Sequence, residues 1–232
     1  MKEQAMPTAA AMDDAGRSFI PAFGKRWLLP LYDPFLWLFR ADASKRPLIE
    51  QAQIKSGFRV LDIGCGTGTM AVLIKRLHPA ADVVGIDPDP DALAVCKRKS
   101  NRAELAIEFD RGFADQMPYA DASFDRVFSS FMFHHLTADE KSATLAEIRR
   151  VLKAGASLHL LDFIRAHGAQ SKTSERGLLI HRGGAVAERI EGRMTAILDE
   201  AGFVDAKEMS RGKIFFGPIA YYRAQNPGGQ PA

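Results

Sequence analysis

Cysteine is almost absent from this chain. Cys65 and Cys96 are the two it has, too few for a disulfide framework or a zinc pattern, and both are expected as reduced thiols in a cytoplasmic protein. Long apolar runs are missing too. The most apolar stretch, Trp27 to Phe39, contains two prolines and Asp33 and is too short to span a bilayer. No apolar leader is expected within residues 1–16, which are alanine-rich and polar, with Asp13 and Asp14 where its apolar core would lie. Neither sign of charge dominates, since 31 basic and 28 acidic side chains leave a net charge of +3. That balance gives no electrostatic argument for a nucleic-acid partner. No repeat is visible. What remains, 232 residues that are 47% apolar and 25% charged, suits one globular domain with a full core.

The order of elements sets the architecture. Buried-strand patterns occupy Arg59–Ile63, Asp82–Asp87, Leu105–Arg111, Phe124–Phe131 and Ser157–Phe163. Helical patterns lie between them over about 69–77, 89–102 and 140–153, with Asp89 as a cap and Gly155 as a terminator. This alternation predicts right-handed βαβ units, and hence an α/β fold with a doubly wound, mostly parallel sheet. After Phe163 the rhythm breaks. Residues 164–184 are basic and glycine-containing, a final helix is expected over about 185–201, and two β-like runs separated by Arg211-Gly212 predict a closing antiparallel hairpin. The predicted organisation is a disordered tail (1–18), an aromatic helical cap (19–54), a main domain (55–224) with a lid at 164–184, and a disordered end (225–232).

Between the first strand and its helix the chain reads Asp62-x-Gly64-x-Gly66-x-Gly68. Glycines there permit positive φ and close approach of a ligand to the backbone, at the sheet edge where such folds bind ligands. The dinucleotide fingerprint would need glycine at position 69, where Thr69 stands, and a phosphate loop is absent. A carboxylate at Asp62 would also repel a pyrophosphate. It would attract a cationic ligand without phosphate, which points to S-adenosylmethionine through its ammonium and sulfonium groups.

The segments VLDIGCGTG, GIDPDPDAL, MPYADASFDRVFSSFMFHHL and LAEIRRVLKAGASLHLLDF follow one another over residues 56–163. Together they resemble the successive motifs of class I S-adenosylmethionine-dependent methyltransferases, of the small-molecule branch that includes ubiquinone/menaquinone-biosynthesis enzymes. The resemblance implies a Rossmann-like seven-stranded sheet. It places Asp62, Gly64, Gly66 and Gly68 at the methionine end of the donor, with Cys65 as a small residue in the turn. It gives Asp87 the ribose hydroxyls and Pro88 a place beside adenine. Phe113 stands where the family commonly has the aspartate that bonds the adenine amine, leaving the Ala114 N–H, the faces of Phe113 or Met117, and Asp115 as substitutes. Ser129, Ser130 and Phe131 would border the transferred methyl. S-adenosylhomocysteine would be the product.

SSFM stands where amino-methylating nucleic-acid enzymes carry [N/D]-P-P-[Y/F], which disfavours a base amine as acceptor. His134 is a candidate base, set against a turn-packing role, and Asp162 a candidate catalytic residue, set against a loop cap. No metal is expected. Tyr32 resembles the tyrosine with which relatives close over the donor, and plain helix packing explains it equally. Arg165, Lys172, Arg176 and Arg182 of the lid could attract an anionic acceptor. Trp27 and Trp37 leave a peripheral membrane or lipid contact open. The expected activity is methylation of oxygen or carbon on a small, partly apolar acceptor. Amine or phospholipid N-methylation and a non-catalytic S-adenosylmethionine-binding role are the alternatives, and the oligomeric state is unknown.

Overall fold

A computed structural model describes residues 11–12, 17–19, 42–164, 194–215 and 217–227. Tyr32, Trp27, Trp37, most of the expected cap and the basic lid residues lie outside them. The seven strands of the main sheet are β1 (Arg59–Ile63), β2 (Asp82–Asp87), β3 (Glu108–Arg111), β4 (Phe124–Ser130), β5 (Leu152–Phe163), β6 (Val204–Ile214) and β7 (Gly217–Gln225). The helices are α1 (Lys45–Gln51), α2 (Thr69–Leu77), α3 (Pro90–Arg102), α4 (Ala138–Val151) and α5 (Met194–Glu200). The spatial order is β3-β2-β1-β4-β5-β7-β6. The first five strands run parallel, and β7 is antiparallel to both neighbours. The expected doubly wound sheet with a terminal hairpin is therefore present. Strand order reverses between β1 and β4, the place where open parallel sheets leave a crevice for ligand.

Both faces of the sheet are covered, which explains why its strands read as continuous apolar runs. On one side Leu145, Ile148 and Val151 of α4 and Leu198 of α5 pack on Leu61, Ile63, Val127 and Leu160. On the other, Leu48, Ile49, Met70, Ile74 and Leu93 pack on Val60, Val83, Phe128 and Leu161. Caps are explicit in the sequence. The Asp89 side chain accepts from the Asp91 and Ala92 N–H groups at the start of α3, and Thr137 with Glu140 forms a capping box for α4.

Three local expectations are corrected. The hairpin does not turn at Arg211-Gly212. Gly212 pairs with Ile219 inside the ladder, and Ile214 pairs with Gly217, so reversal falls beyond Ile214. A Cβ on Gly212 would make only ordinary contact with Ile219, at 3.4 Å, so the glycine sits in regular ladder backbone and marks no turn. Nor does Gly155 end α4. The helix stops at Val151, and β5 begins at Leu152 with an irregularity before Ser157. The Asn226 amide holds this junction by donating to the carbonyls of Arg149 and Leu152 at 3.1 and 2.8 Å. Finally, β3 starts at Glu108 rather than Leu105, because the Leu105 N–H bonds back to the Ser100 carbonyl. Near the N-terminus, Ala11–Met12 pairs with Ser18–Phe19 in a separate two-stranded ladder.

Helix α1 is bolted at both ends. The Tyr221 hydroxyl donates to the Ser44 carbonyl at 2.9 Å. At the other end the Gln51 amide reaches Tyr222 O and His159 Nδ1, and Arg126 donates to Ala52 O at 2.7 Å. Replacing Tyr221 with Phe leaves the Ser44 carbonyl buried without that donor. The expected outcome is a loss of about 1 kcal/mol of unfolding free energy in urea titration, with hydrogen exchange rising most over residues 44–51.

Candidate donor-binding site

Strand β1 carries Asp62 into the core between Gly85 and Phe128 of the neighbouring strands. The side chain is fully buried, and neither oxygen closes a hydrogen bond of good geometry. Burial pushes its carboxyl up to about 7, offset in part by the Lys45 charge and the Ala71 N–H, while Asp87 adds to the rise. Lys45, itself buried at the start of α1, is a functional neighbour the sequence gave no signal for. A carboxylate held this way is costly to a fold, and its environment suits a group that meets a cation there.

The three glycines of the turn all have positive φ, but for different reasons. A Cβ on Gly64 would lie 2.5 Å from Met132 Cγ, and one on Gly68 would lie 2.9 Å from Cys96 Sγ. Those two are packing requirements. Gly66 has nothing within 4 Å of its would-be Cβ, so open space borders the backbone there. Cys65 is buried in the turn, and Cys96 donates to Gly66 O at 3.0 Å; both are free thiols.

Asp87 closes the other side of the turn. Its Oδ2 accepts from the Gly66 N–H at 2.8 Å and its Oδ1 from the Asp89 N–H at 2.9 Å. Burial pushes its carboxyl up to about 6 against those two bonds. Each oxygen keeps a further acceptor site, so ribose hydroxyls can still be received. Asp89, not Asp87, caps α3. Pro88 follows half-buried, and Phe113 and Ala114 stand half-buried in the loop after β3.

At the end of β4, Ser129 is buried with no hydrogen-bond partner for its Oγ among the described residues. Ser130 is half-buried. Phe131 adopts φ 58°, an unusual conformation for a bulky residue. It is held by its N–H bond to Leu161 O at 2.8 Å and by the Phe163 ring at 5.0 Å. Strain of this kind collects at functional sites.

His134 and Asp162, 28 residues apart, meet directly. His134 Nδ1 lies 2.7 Å from Asp162 Oδ1, and the His134 N–H reaches Oδ2 at 2.9 Å. The Phe163 N–H adds a bond of 2.7 Å. Burial raises the Asp162 carboxyl, but the His134 charge and these bonds outweigh it and hold the group below the ordinary carboxylate range. An ionised carboxylate only accepts, so Nδ1 carries the proton and a neutral His134 keeps its basic lone pair on Nε2. His159, by contrast, sits in the core between Gln51 and Ser157. No metal-ligating cluster occurs among the described residues.

The crevice sits on a 3-2-1-4-5-7-6 sheet, a fold this chain shares with Rossmann-like methyltransferases. Residues 60–155 match a family model described as a methyltransferase domain. The demethylmenaquinone methyltransferase of Thermus thermophilus is 36% identical over 139 residues, 59% of this chain and 62% of that protein. The ubiquinone/menaquinone biosynthesis C-methyltransferase of Xanthomonas campestris is 39% identical over 124 residues, 52% of this chain and 48% of that protein. The chain thus spans about half to three fifths of the length of these curated relatives. A Haemonchus contortus phosphoethanolamine N-methyltransferase, solved with phosphomonomethylethanolamine and S-adenosylhomocysteine, superposes with a TM-score of 0.71 at 16% identity, covering 91% of this chain and 62% of that one. At that identity the likeness is one of fold. The chain resembles class I S-adenosylmethionine-dependent methyltransferases, on the ubiquinone/menaquinone side of that class.

Asp62 makes stability depend on pH. Its folded value of about 7 lies above the ordinary 3.8, so its favourable contribution is complete at low pH and is lost as pH rises through 7. Asn at this position mimics the protonated form. Asp62→Asn is expected to gain stability over the parent as pH goes from 5 to 8, by at most about 3 kcal/mol, less what Lys45 loses. Denaturant titrations at the two pH values check this.

Proposed function

We propose that the chain is an S-adenosylmethionine-dependent methyltransferase that methylates oxygen or carbon of a small, partly apolar acceptor. The observation that carries the reading is Asp62, a fully buried carboxylate for which the described residues close no hydrogen bond of good geometry, near the open flank of Gly66. Quinone-biosynthesis relatives support an aromatic, hydroxyl-bearing acceptor such as a quinol.

In this reading Asp62 receives the donor's ammonium, Gly66 admits its chain and Asp87 its ribose. Bound S-adenosylmethionine would supply an electrophilic methyl group on a sulfonium. Ser129, Ser130 and Phe131 border the acceptor, whose alignment and shielding from water contribute much of the rate. Methylation of a hydroxyl or of a ring carbon releases one proton from the acceptor. His134 Nε2 takes it, while Asp162 orients the ring and stabilises the imidazolium.

Calorimetry with S-adenosylhomocysteine and with NAD tests the cofactor: micromolar binding of the former and none of the latter is expected, and tighter NAD binding would overturn the assignment. Affinity for S-adenosylhomocysteine should strengthen as pH rises through 7, because its ammonium favours ionised Asp62. Mass spectrometry of quinol, phenol and aminolipid acceptors for the gain of one CH2 separates oxygen or carbon methylation from N-methylation and from binding alone. With an active acceptor, His134→Ala should lower kcat about 100-fold or more. Undiminished turnover would remove its role as base.

A further inference from the structure

Phe113 and Asp115 lie on a loop pressed against the end of β2. The Gly112 N–H donates to the Asp87 carbonyl at 3.2 Å, and a Cβ on Gly112 would lie 2.9 Å from Ile86 Cδ1. A nucleoside whose ribose meets Asp87 would extend its base toward this loop. The loop is tight: Phe113 and Gln116 pair as an isolated bridge, with the Gln116 N–H bonded to Phe113 O at 3.2 Å. Phe113 and Asp115 are both half-buried, so each keeps an accessible face.

Arg17, 98 residues earlier in the chain, covers part of both side chains. Its guanidinium carbon sits 3.8 Å from the centroid of the Phe113 ring. One of its terminal nitrogens lies 2.8 and 2.7 Å from the two oxygens of Asp115. A flat group stacked on a ring, with a single –NH2 nitrogen donating to a carboxylate, makes the contacts an adenine would make through its face and exocyclic amine. Arg17 is delivered by the separate Ala11–Met12/Ser18–Phe19 ladder, not by the main sheet. The ion pair is partly exposed, with 39% of the Arg17 side chain and 23% of the Asp115 side chain accessible, so it is held weakly enough to be displaced.

Resting on the proposed function, and with the resemblance placing the donor's adenine at this loop, we propose that Arg17 fills the Phe113–Asp115 position as a stand-in for the base. The acid that reads the amine has moved two positions along the loop, and an aromatic ring takes the position it left. The N-terminal segment thereby competes with the donor. Apparent affinity is reduced by the fraction of molecules in which Arg17 is docked.

The test is calorimetry of the full chain with S-adenosylhomocysteine and S-inosylhomocysteine, in which a carbonyl oxygen replaces the amine. The parent should prefer the adenosyl compound by about tenfold or more, since a carboxylate accepts from an amine and repels a carbonyl. Asp115→Asn, able both to donate and to accept, should cut that preference below about threefold. Phe113→Leu should weaken both ligands alike. Arg17→Ala should strengthen S-adenosylhomocysteine binding by about three- to tenfold. An unchanged base preference in Asp115→Asn would overturn the subsite. Unchanged or weaker binding in Arg17→Ala would overturn the competition. Failure of the parent to bind either compound would instead overturn the proposed function and this assignment with it, a different result from binding without base preference.

Discussion

A carboxylate withdrawn from water raises the free energy of any fold, and Asp62, for which the described residues close no hydrogen bond of good geometry, places that burden at the centre of the sheet's carboxyl edge. The surrounding features can be understood as responses to it. Lys45 brings a positive charge from α1, and Tyr221 pins the start of that helix through Ser44. Asp87, whose negative charge raises the Asp62 carboxyl further, is tied by backbone N–H groups of Gly66 and Asp89. Two acids are thus held close together around a bend whose middle glycine leaves its flank open. A cationic ligand would relieve the strain and a diphosphate would add to it.

Much of this was legible from residue order. The apolar runs of β1, β2 and β4 declared a sheet covered on both faces, and Asp62-x-Gly-x-Gly-x-Gly declared where a ligand would approach. The Asp89 cap was also readable, since it acts through bonds within a few residues, whereas the Thr137–Glu140 box that starts α4 two residues earlier than expected was not read. Failures came where a local signal met a tertiary requirement. Gly212 reads as a turn residue, yet it pairs with Ile219 inside a regular ladder. Gly155 reads as a helix stop, yet a side-chain amide 71 positions later supports that junction.

Pairings across the sheet were invisible for a related reason. His134 and Asp162 could each be singled out by type and position, but their contact depends on β5 lying beside β4, with Leu161 opposite Ser130. Lys45 had no signal at all, because its effect on Asp62 exists only once α1 has packed. Two of the glycines in the bend answer to Met132 and Cys96, residues that no turn motif specifies.

His159 shows how differently the two ends of α1 are secured. Burial, with the Arg126 and Arg223 charges, pushes its imidazole down to about 3. The ring therefore stays neutral, accepting from Gln51 while its other nitrogen meets the Ser157 hydroxyl. Mild acid does not alter that clasp, though it protonates Asp62 and Asp87. Acidification to about pH 5 would accordingly loosen the grip on a charged guest while the scaffold around it stays fastened, a graded release that does not require the protein to open.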